Sequence, residues 1–152
     1  MPYVENRTVH DADSHVMEFP EKICEYISSK FQGDFAPYMR KRDLQQQQEI
    51  LRLHDDPEFR AGAEDEIMLR RGKHALGAFR KEDRPKMLDA LGFTSQLVFT
   101  SDALDNYGLE SGKTNPLACE VARAHNRMMT DFCDVDKRLL ATGYVPLVDL
   151  EE

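Results

Sequence analysis

The segment Ser95–Thr100, with the sequence Ser-Gln-Leu-Val-Phe-Thr, constrains the fold of this chain most. It is short and apolar through its centre, as expected for a strand buried in a parallel sheet. A helix is expected directly before it, with Asp83 as the N-cap and Gly92 at the C-terminal end. The apolar side of that helix carries Met87, Leu88 and Leu91. A helix that leads into a buried strand is a unit of an α/β fold.

Further helical and extended segments flank this unit. After a loop that begins at Ser101, Asn115 and Pro116 provide an N-cap and a first-turn proline for a long helix. The core side of this helix carries Leu117, Val121, Met128 and Phe132. Strands are expected at 8–13 and 139–147. Strands and helices in this alternation predict a parallel α/β sheet with right-handed crossovers.

The segment between the first strand and this unit is less regular. Pro20 opens a helix that Gly33 is expected to end. Its apolar face carries Ile23, Ile27 and Phe31. From 34 to 81 the periodicity fails, which predicts a mostly helical or irregular insert, serving as a lid, a subunit contact or a solvated extension. His54 and His74 lie in this insert and are expected at the surface, away from any metal.

The ten residues Val9–Glu18 contain three carboxylates and two imidazoles. Side chains two residues apart on a strand share a face, so Asp11, Asp13 and His15 would project together. A carboxylate and an imidazole on one rigid strand suit zinc or a similar divalent metal, with the remaining ligands coming from elsewhere. The alternative is structural: Asp13 and Ser14 would cap the following helix, and Asp11 would close a turn.

An N-terminal apolar strand that ends in Asp-x-Asp-x-His resembles the first strand of the amidohydrolase-related enzymes, the group around aminocarboxymuconate-semialdehyde decarboxylase. In that family the strand ends in a His-x-His metal motif, and here Asp13 stands at the first histidine position. The resemblance implies that Asp13 and His15 bind a divalent metal, most simply zinc. Asp11 and Glu18 are candidates to orient His15 or a bound water without binding the metal themselves.

The resemblance continues in the order of the family's second and third barrel units. The matching positions are Arg84-x-x-Met87-Leu88-Asp89-x-x-Gly92, residues 126–132, Arg138, Val145-Pro146-Leu147 and Asp149. They imply an α/β fold, the N-terminal part of a (β/α)₈ TIM barrel, with about three of the eight units of a domain of ~250 residues. Residues 1–152 would then be a single incomplete barrel domain with the insert at about 34–81. In the family, a histidine from a middle strand and an aspartate from the last strand complete the metal site, and neither element is expected here.

The resemblance implies a metal-dependent hydrolase of the amidohydrolase superfamily that acts on a small-molecule substrate. A non-oxidative decarboxylase of an aromatic or unsaturated carboxylic acid is the close alternative, and the sequence does not choose between them. An alternative of another class is a non-catalytic interaction fragment, which the missing ligands would favour if the natural chain ends at Glu152. The sequence assigns no catalytic residue, because the proton-transferring aspartate of the family would lie on the last strand.

Composition excludes several other classes. The formal charge of −8 argues against a nucleic-acid partner, because such proteins carry clustered Lys and Arg on a basic face. Short apolar runs and the lack of a basic-then-apolar N-terminus predict a cytoplasmic protein with no membrane partner, and a homo-oligomer is possible. An odd number of widely spaced cysteines predicts reduced core thiols rather than bridges. These are Cys24, Cys119 and Cys133.

The tripeptide Gly112-Lys113-Thr114 is similar to the end of a phosphate-binding P-loop. The upstream Gly108 leaves three residues before Gly112, whereas a P-loop needs four. Nucleotide binding is therefore not expected.

Overall fold

The computed structural model describes residues 2–39, 44–63, 65–101 and 116–146. Its strands and helices in chain order are β1 (His10–Val16), α1 (Pro20–Cys24), α2 (Gln32–Met39), α3 (Leu44–Asp55), α4 (Pro57–Ala61), α5 (Arg84–Leu91), β2 (Ser95–Thr100), α6 (Pro116–Cys133) and β3 (Leu139–Ala141). Short 3₁₀ turns lie at Ser29–Phe31, Gly72–His74 and Lys81–Asp83. The described chain therefore mixes helices and strands, as the sequence predicts.

The strands form a small parallel sheet in the order β1-β2-β3. The predicted strand at Ser95–Thr100 is confirmed as β2, the central strand of this sheet. Gln96 and Val98 on one face of β2 are buried, and Val98 belongs to the main core. The described residues thus form a small parallel three-stranded sheet with helices, which is compatible with an α/β fold.

The bounds of both outer strands differ from the prediction. β1 runs over His10–Val16 rather than 8–13, because its parallel pairing with β2 continues to the pair Val16 and Thr100. β3 covers Leu139–Ala141, and residues 142–146 are not part of a strand, whereas residue 147, the predicted end, lies outside the described residues. The Asn126 side chain of α6 holds the following segment outside the sheet: its Nδ2 donates to the Tyr144 carbonyl at 2.9 Å, and its Oδ1 accepts from the Tyr144 N–H at 2.7 Å.

The helix predicted between Pro20 and Gly33 is interrupted. Pro20 does open α1, but α1 ends at Cys24, and Gly33 lies inside α2 instead of ending a helix. The interruption has a long-range cause, because the extended Ser28 donates its backbone N–H to the Glu120 carboxylate on α6 at 2.9 Å. The apolar residues predicted for this face still contribute to the core. Ile23 and Ile27 are buried, and Phe31 packs against them partly exposed.

The helices around β2 follow the sequence more closely. Gly92 ends α5 in the left-handed conformation, with φ of 75°, and Pro116 is the first residue of α6. Asp83 occupies the N-cap position of α5, as predicted, but its side chain makes no capping bond. Its carboxylate instead accepts two hydrogen bonds from the Arg60 guanidinium, at 2.7 and 3.1 Å. Residue 115, the predicted N-cap of α6, lies outside the described residues, as does the segment 108–114.

Two apolar clusters stabilise the described chain. The main cluster joins α6 to the covered sheet face and includes Val16, Ile23, Phe35, Leu88, Val98, Met129, Phe132 and Cys133. A smaller cluster joins the insert to α5 and contains Ala63, Leu76 and Met87, with Ile67 and Leu91 beside them. The three cysteines are free thiols, which confirms the prediction that they form no bridges. In the part of the chain that the structure describes, no helix combines the length and apolarity needed to cross a bilayer.

The insert is helical in part, but one of its histidines is misplaced by the sequence prediction. His54 is buried, with 3% of its surface exposed. Its Nε2 lies 2.6 Å from the Lys73 carbonyl, and the rings of Phe59 and Phe79 pack edge-on against it at 5.0 and 4.6 Å. Phe59 and Phe79 bury the His54 ring, and the mostly polar sequence of the insert does not indicate this packing. His74 is exposed, as predicted.

The Gly92 turn offers a direct test of this packing. A Cβ at Gly92 would collide with the carbonyl oxygen of Val4, and its positive φ strains any other residue. We expect Gly92→Ala to lower the free energy of unfolding by at least about 2 kcal/mol. Gly33→Ala is the matched control, because a Cβ there meets nothing within 4 Å. In urea denaturation it should be neutral or stabilising by up to about 1 kcal/mol, and an equal loss in both variants would contradict the expectation.

Candidate functional site

The candidate site lies where β1 and β2 end. Because the two strands are parallel, their carboxyl ends meet at one edge of the sheet, with His15 beside Phe99 and Val16 beside Thr100. In open α/β sheets, ligands bind in the crevice outside this edge. The strand pairing therefore places His15 at the edge where a ligand site is expected, whereas Asp11 pairs with Gln96 near the start of β2.

The His15 ring is held by the end of β2. Its Nδ1 lies 3.0 Å from the Thr100 carbonyl oxygen and 3.2 Å from the Ser101 Oγ. A carbonyl oxygen only accepts, so Nδ1 must carry the proton in that hydrogen bond. In the neutral ring, Nε2 then keeps its lone pair. Metal-binding histidines are oriented in this way, with one nitrogen tied to a backbone carbonyl and the other free for the metal.

The structure brings Asp13 and His15 together, as the motif predicts. The Asp13 Oδ1 lies 3.4 Å from the His15 Nε2. The Asp13 side chain is 94% exposed and that of His15 is 39% exposed, so both atoms are accessible from outside the protein. Two electron-rich atoms at this separation are suited to a proton or a metal ion between them.

Asp11 does not contact His15. Its Oδ1 accepts the Asp13 backbone N–H at 3.0 Å, and its Oδ2 accepts from the Gln96 Nε2 at 3.0 Å. The first bond closes a local turn, as the structural alternative for Asp11 proposed. The capping alternative for Asp13 and Ser14 is wrong, because both lie within β1 and the N-cap position of α1 is Phe19.

Glu18 reaches the site through the end of β2. Its buried carboxylate accepts hydrogen bonds from the Thr100 hydroxyl and, at 3.1 Å, from the Ser101 N–H. These two residues hold the His15 ring, so Glu18 is one hydrogen bond removed from it. The predicted role of Glu18 in orienting His15 is compatible with this arrangement and stays a prediction.

A cavity of about 260 Å³ opens beside the pair. On one side it is lined by Asp11, Asp13, His15, Arg84 and Gln96. On the other side it is lined by apolar residues of the insert and α5: Ile67, Ala75, Leu76, Ala78, Met87 and Leu91. The insert is fixed here by a hydrogen bond of 2.6 Å from the Met17 N–H to the Ala78 carbonyl. This volume exceeds the ~150 Å³ that holds one benzene molecule, so a small substituted ring or chain fits.

Sequence reasoning missed three residues that support the site. In the sequence, Thr100 and Ser101 are only the end of a strand and the start of a loop. The signal that places them beside His15 is the parallel pairing of β1 with β2. In the sequence, Arg84 is only one of the positions that carry the family resemblance. It is 3% exposed and contacts the backbone of β1, and an arginine at the start of an apolar helix carries no sign of this in the sequence.

Among the described residues, Asp13 and His15 are the pair whose geometry can be compared with that of a metal site. Within 2–39, 44–63, 65–101 and 116–146, no group of three or more His, Cys, Asp or Glu side chains is placed to hold a metal ion. Two ligand atoms ~2.1 Å from one zinc ion and ~109° apart are separated by about 3.4 Å. The distance between Asp13 Oδ1 and His15 Nε2 matches this separation. The pair thus fits half of a four-coordinate shell.

Comparison with models of protein families, with curated proteins and with solved structures finds no match to this chain.

Two histidines outside the site are buried. His125 on α6 is 2% exposed, its Nδ1 lies 3.3 Å from the Asn126 Oδ1, and its Nε2 has no hydrogen-bond partner among the residues that the structure describes. Burial lowers the pKa of His125, and burial also lowers the pKa of His54, against the opposing effect of its bond to Lys73. Burial therefore disfavours the charged form of each ring in the folded state.

These lowered pKa values set a sign for the pH dependence of stability. Below the ordinary histidine pKa of about 6.5 the unfolded chain binds more protons than the folded one, so stability present at pH 7.5 is lost as the pH falls towards 5.5. We expect a loss of at most about 1.4 kcal/mol per pH unit from each histidine. Urea titrations at several pH values measure it. His125→Gln should reduce the slope, whereas the exposed His74→Gln should not, and equal slopes in all three proteins would contradict this assignment.

Proposed function

We propose that Asp13 and His15 bind a divalent metal ion, most simply zinc, in a metal-dependent hydrolase of the amidohydrolase-related kind. The observation that supports this most is the approach of Asp13 Oδ1 to within 3.4 Å of His15 Nε2, while His15 Nδ1 is tied to the Thr100 carbonyl. A histidine with its Nδ1 proton committed to a carbonyl offers its other nitrogen as a ligand. An exposed carboxylate beside that nitrogen supplies the negative charge that a divalent cation requires.

The sheet is compatible with the first three strands of a (β/α)₈ barrel. One sheet face is covered by helices, and the other carries Leu97, Phe99 and Leu140 on the same side as His15. Leu140 is 52% exposed on that side. In a barrel this face would be the packed interior, and the carboxyl ends of the strands would carry the active site. The remaining ligands would then come from residues beyond those described.

The chain's own residues would act by binding and orientation. A metal ion at such a site supplies Lewis-acid polarisation of a substrate carbonyl and lowers the pKa of a water molecule to about 7. Asp13 would bind the ion as an anion and His15 as a neutral ring. Thr100 and Ser101 would keep the His15 ring oriented, with Glu18 fixing both. The cavity beside the pair would hold a small substrate with an apolar group against the insert.

Replacement of the two ligands tests the proposal. Asp13→Ala and His15→Ala should each weaken Co²⁺ or Zn²⁺ binding by at least about tenfold, because nothing else among the described residues of β1 replaces the lost ligand. Titration of the wild-type chain and both variants, followed by the Co²⁺ absorption spectrum, measures the change. A spectrum with nitrogen and oxygen ligands that disappears in both variants supports the pair as ligands.

The insert histidines are the matched controls. His74→Gln should leave metal binding unchanged, since His74 is exposed and outside the site. His54→Gln should lower stability but not metal affinity, because its Nε2 is bonded to Lys73. If metal affinity is unchanged in Asp13→Ala and His15→Ala, the motif has only a structural role. A loss of metal affinity in His54→Gln as large as that in His15→Ala would also contradict the proposal.

A further inference from the structure

The guanidinium of Arg84 is buried among uncharged acceptors. Among the described residues, its recorded hydrogen-bond acceptors are neutral: the Ser14 hydroxyl, the His15 and Gly77 carbonyls at 3.1 and 3.0 Å, and the Gln96 Oε1 at 3.2 Å. The ring of Phe132 lies 5.8 Å from its central carbon. Burial lowers the pKa of Arg84 to about 10, so it remains charged at neutral pH. A buried charge is retained only where its donors are satisfied, which makes the positions of these acceptors strongly constrained.

Arg84 contacts β1 on both sides of an irregularity. The register of β1 against β2 shifts between Asp11 and Ser14, and this shift brackets Asp13. On the far side, Arg84 holds Ser14 and His15 directly. On the near side it acts through Gln96, whose Nε2 donates to the Asp11 Oδ2 at 3.0 Å. The other Asp11 oxygen then accepts the Asp13 N–H.

We infer that Arg84 is a positioning residue that fixes the irregular segment of β1 and thereby sets Asp13 next to His15. The chain of hydrogen bonds from Arg84 through Gln96 and Asp11 ends on the backbone of Asp13, and the direct bonds end on the Ser14 hydroxyl and the His15 carbonyl. Asp13 and His15 are thus both connected by hydrogen bonds to the Arg84 guanidinium, and this connection fixes their relative position. The consequence for metal binding rests on the function proposed above, whereas the conformation of β1 does not.

Arg84 also connects the pair to the wall of the cavity. Its Nη1 donates to the Gly77 carbonyl as well as to that of His15. Gly77 has φ of +70°, and a Cβ there would lie 2.9 Å from the Arg84 Cα. The insert turn, the end of β1 and the start of α5 are therefore packed around one side chain. Only a forked donor reaches these acceptors together, so lysine is not an equivalent replacement.

The experiment compares Arg84→Met, Arg84→Lys and a control, Arg138→Met. Arg138 also forms several ion pairs, with Asp89 and Asp136, but none of them touches β1. Two quantities are measured: the Co²⁺ affinity, and the exchange rate and chemical shift of the Asp13 amide proton. In Arg84→Met we expect Co²⁺ affinity to fall on the order of 10- to 100-fold. We expect Asp13 amide exchange to become on the order of five- to tenfold faster. In both Co²⁺ affinity and Asp13 amide exchange, Arg84→Lys should lie between wild type and Arg84→Met. Arg138→Met should match wild type in both quantities.

The outcomes separate this inference from the proposed function. If the wild-type chain binds no Co²⁺ but the Asp13 amide is perturbed in Arg84→Met, the metal proposal fails and the positioning role stands. If Arg84→Met folds and keeps wild-type Co²⁺ affinity and amide exchange, the positioning role is overturned. If Arg84→Met does not fold, Gln96→Met tests the same link, because it breaks the path from Arg84 to Asp11 but does not remove the donors or acceptors of the direct bonds from Arg84 to Ser14 and His15. Unchanged Asp13 amide behaviour in Gln96→Met would then overturn the inference.

Discussion

The candidate site depends on the parallel pairing of β1 with β2. This pairing ends both strands at one edge, so the carbonyl of Thr100 is available to the His15 ring. Without it, the ring would have no fixed acceptor and its free nitrogen no defined direction. Glu18 stabilises the same edge of the sheet, because its carboxylate accepts hydrogen bonds from Thr100 and Ser101. Two paired strands fix the orientation of the His15 ring more closely than a loop would, because neighbouring hydrogen bonds resist rotation of either strand.

The site combines exposed ligand atoms with buried supports. Asp13 is almost fully exposed, whereas Glu18, Arg84 and Gln96 are each at most 3% exposed. Buried hydrogen bonds are strong and costly to break, since water does not replace a lost partner. The rigid part of the site is therefore inside the protein, and the part that would meet a ligand is outside. Preorganisation of this kind reduces the entropy lost on binding.

Sequence reasoning succeeded where structure is determined locally. The strand Ser95–Thr100 and the ends of the helices at Gly92 and Pro116 follow from apolar runs, a left-handed cap and a first-turn proline. That Asp13 and His15 lie two residues apart on one strand also follows from the local pattern. These features need no knowledge of distant residues.

The failures all involve distant residues. The end of the first strand depends on Thr100, and the break after Cys24 on a bond from Ser28 to Glu120. The burial of His54 depends on Phe79. None of these pairs can be recognised from local pattern, because each joins elements that meet only in the folded chain. The residues that hold the candidate site belong to this second class, so the sequence offers Asp13 and His15 as candidate ligands but does not reveal the residues that orient them.

The separation of the two apolar clusters has a consequence for the wall of the cavity. The insert is attached to α5 mainly through the small cluster of Ala63, Leu76 and Met87, while the main cluster lies beneath the sheet and α6. A region held by few buried apolar contacts opens at a lower free energy than the whole molecule. The part of the insert around Ala63 and Leu76 should therefore open at a lower free energy than the sheet. Since Leu76 also lines the cavity, the local stability of this small cluster determines how rigid that wall of the cavity is.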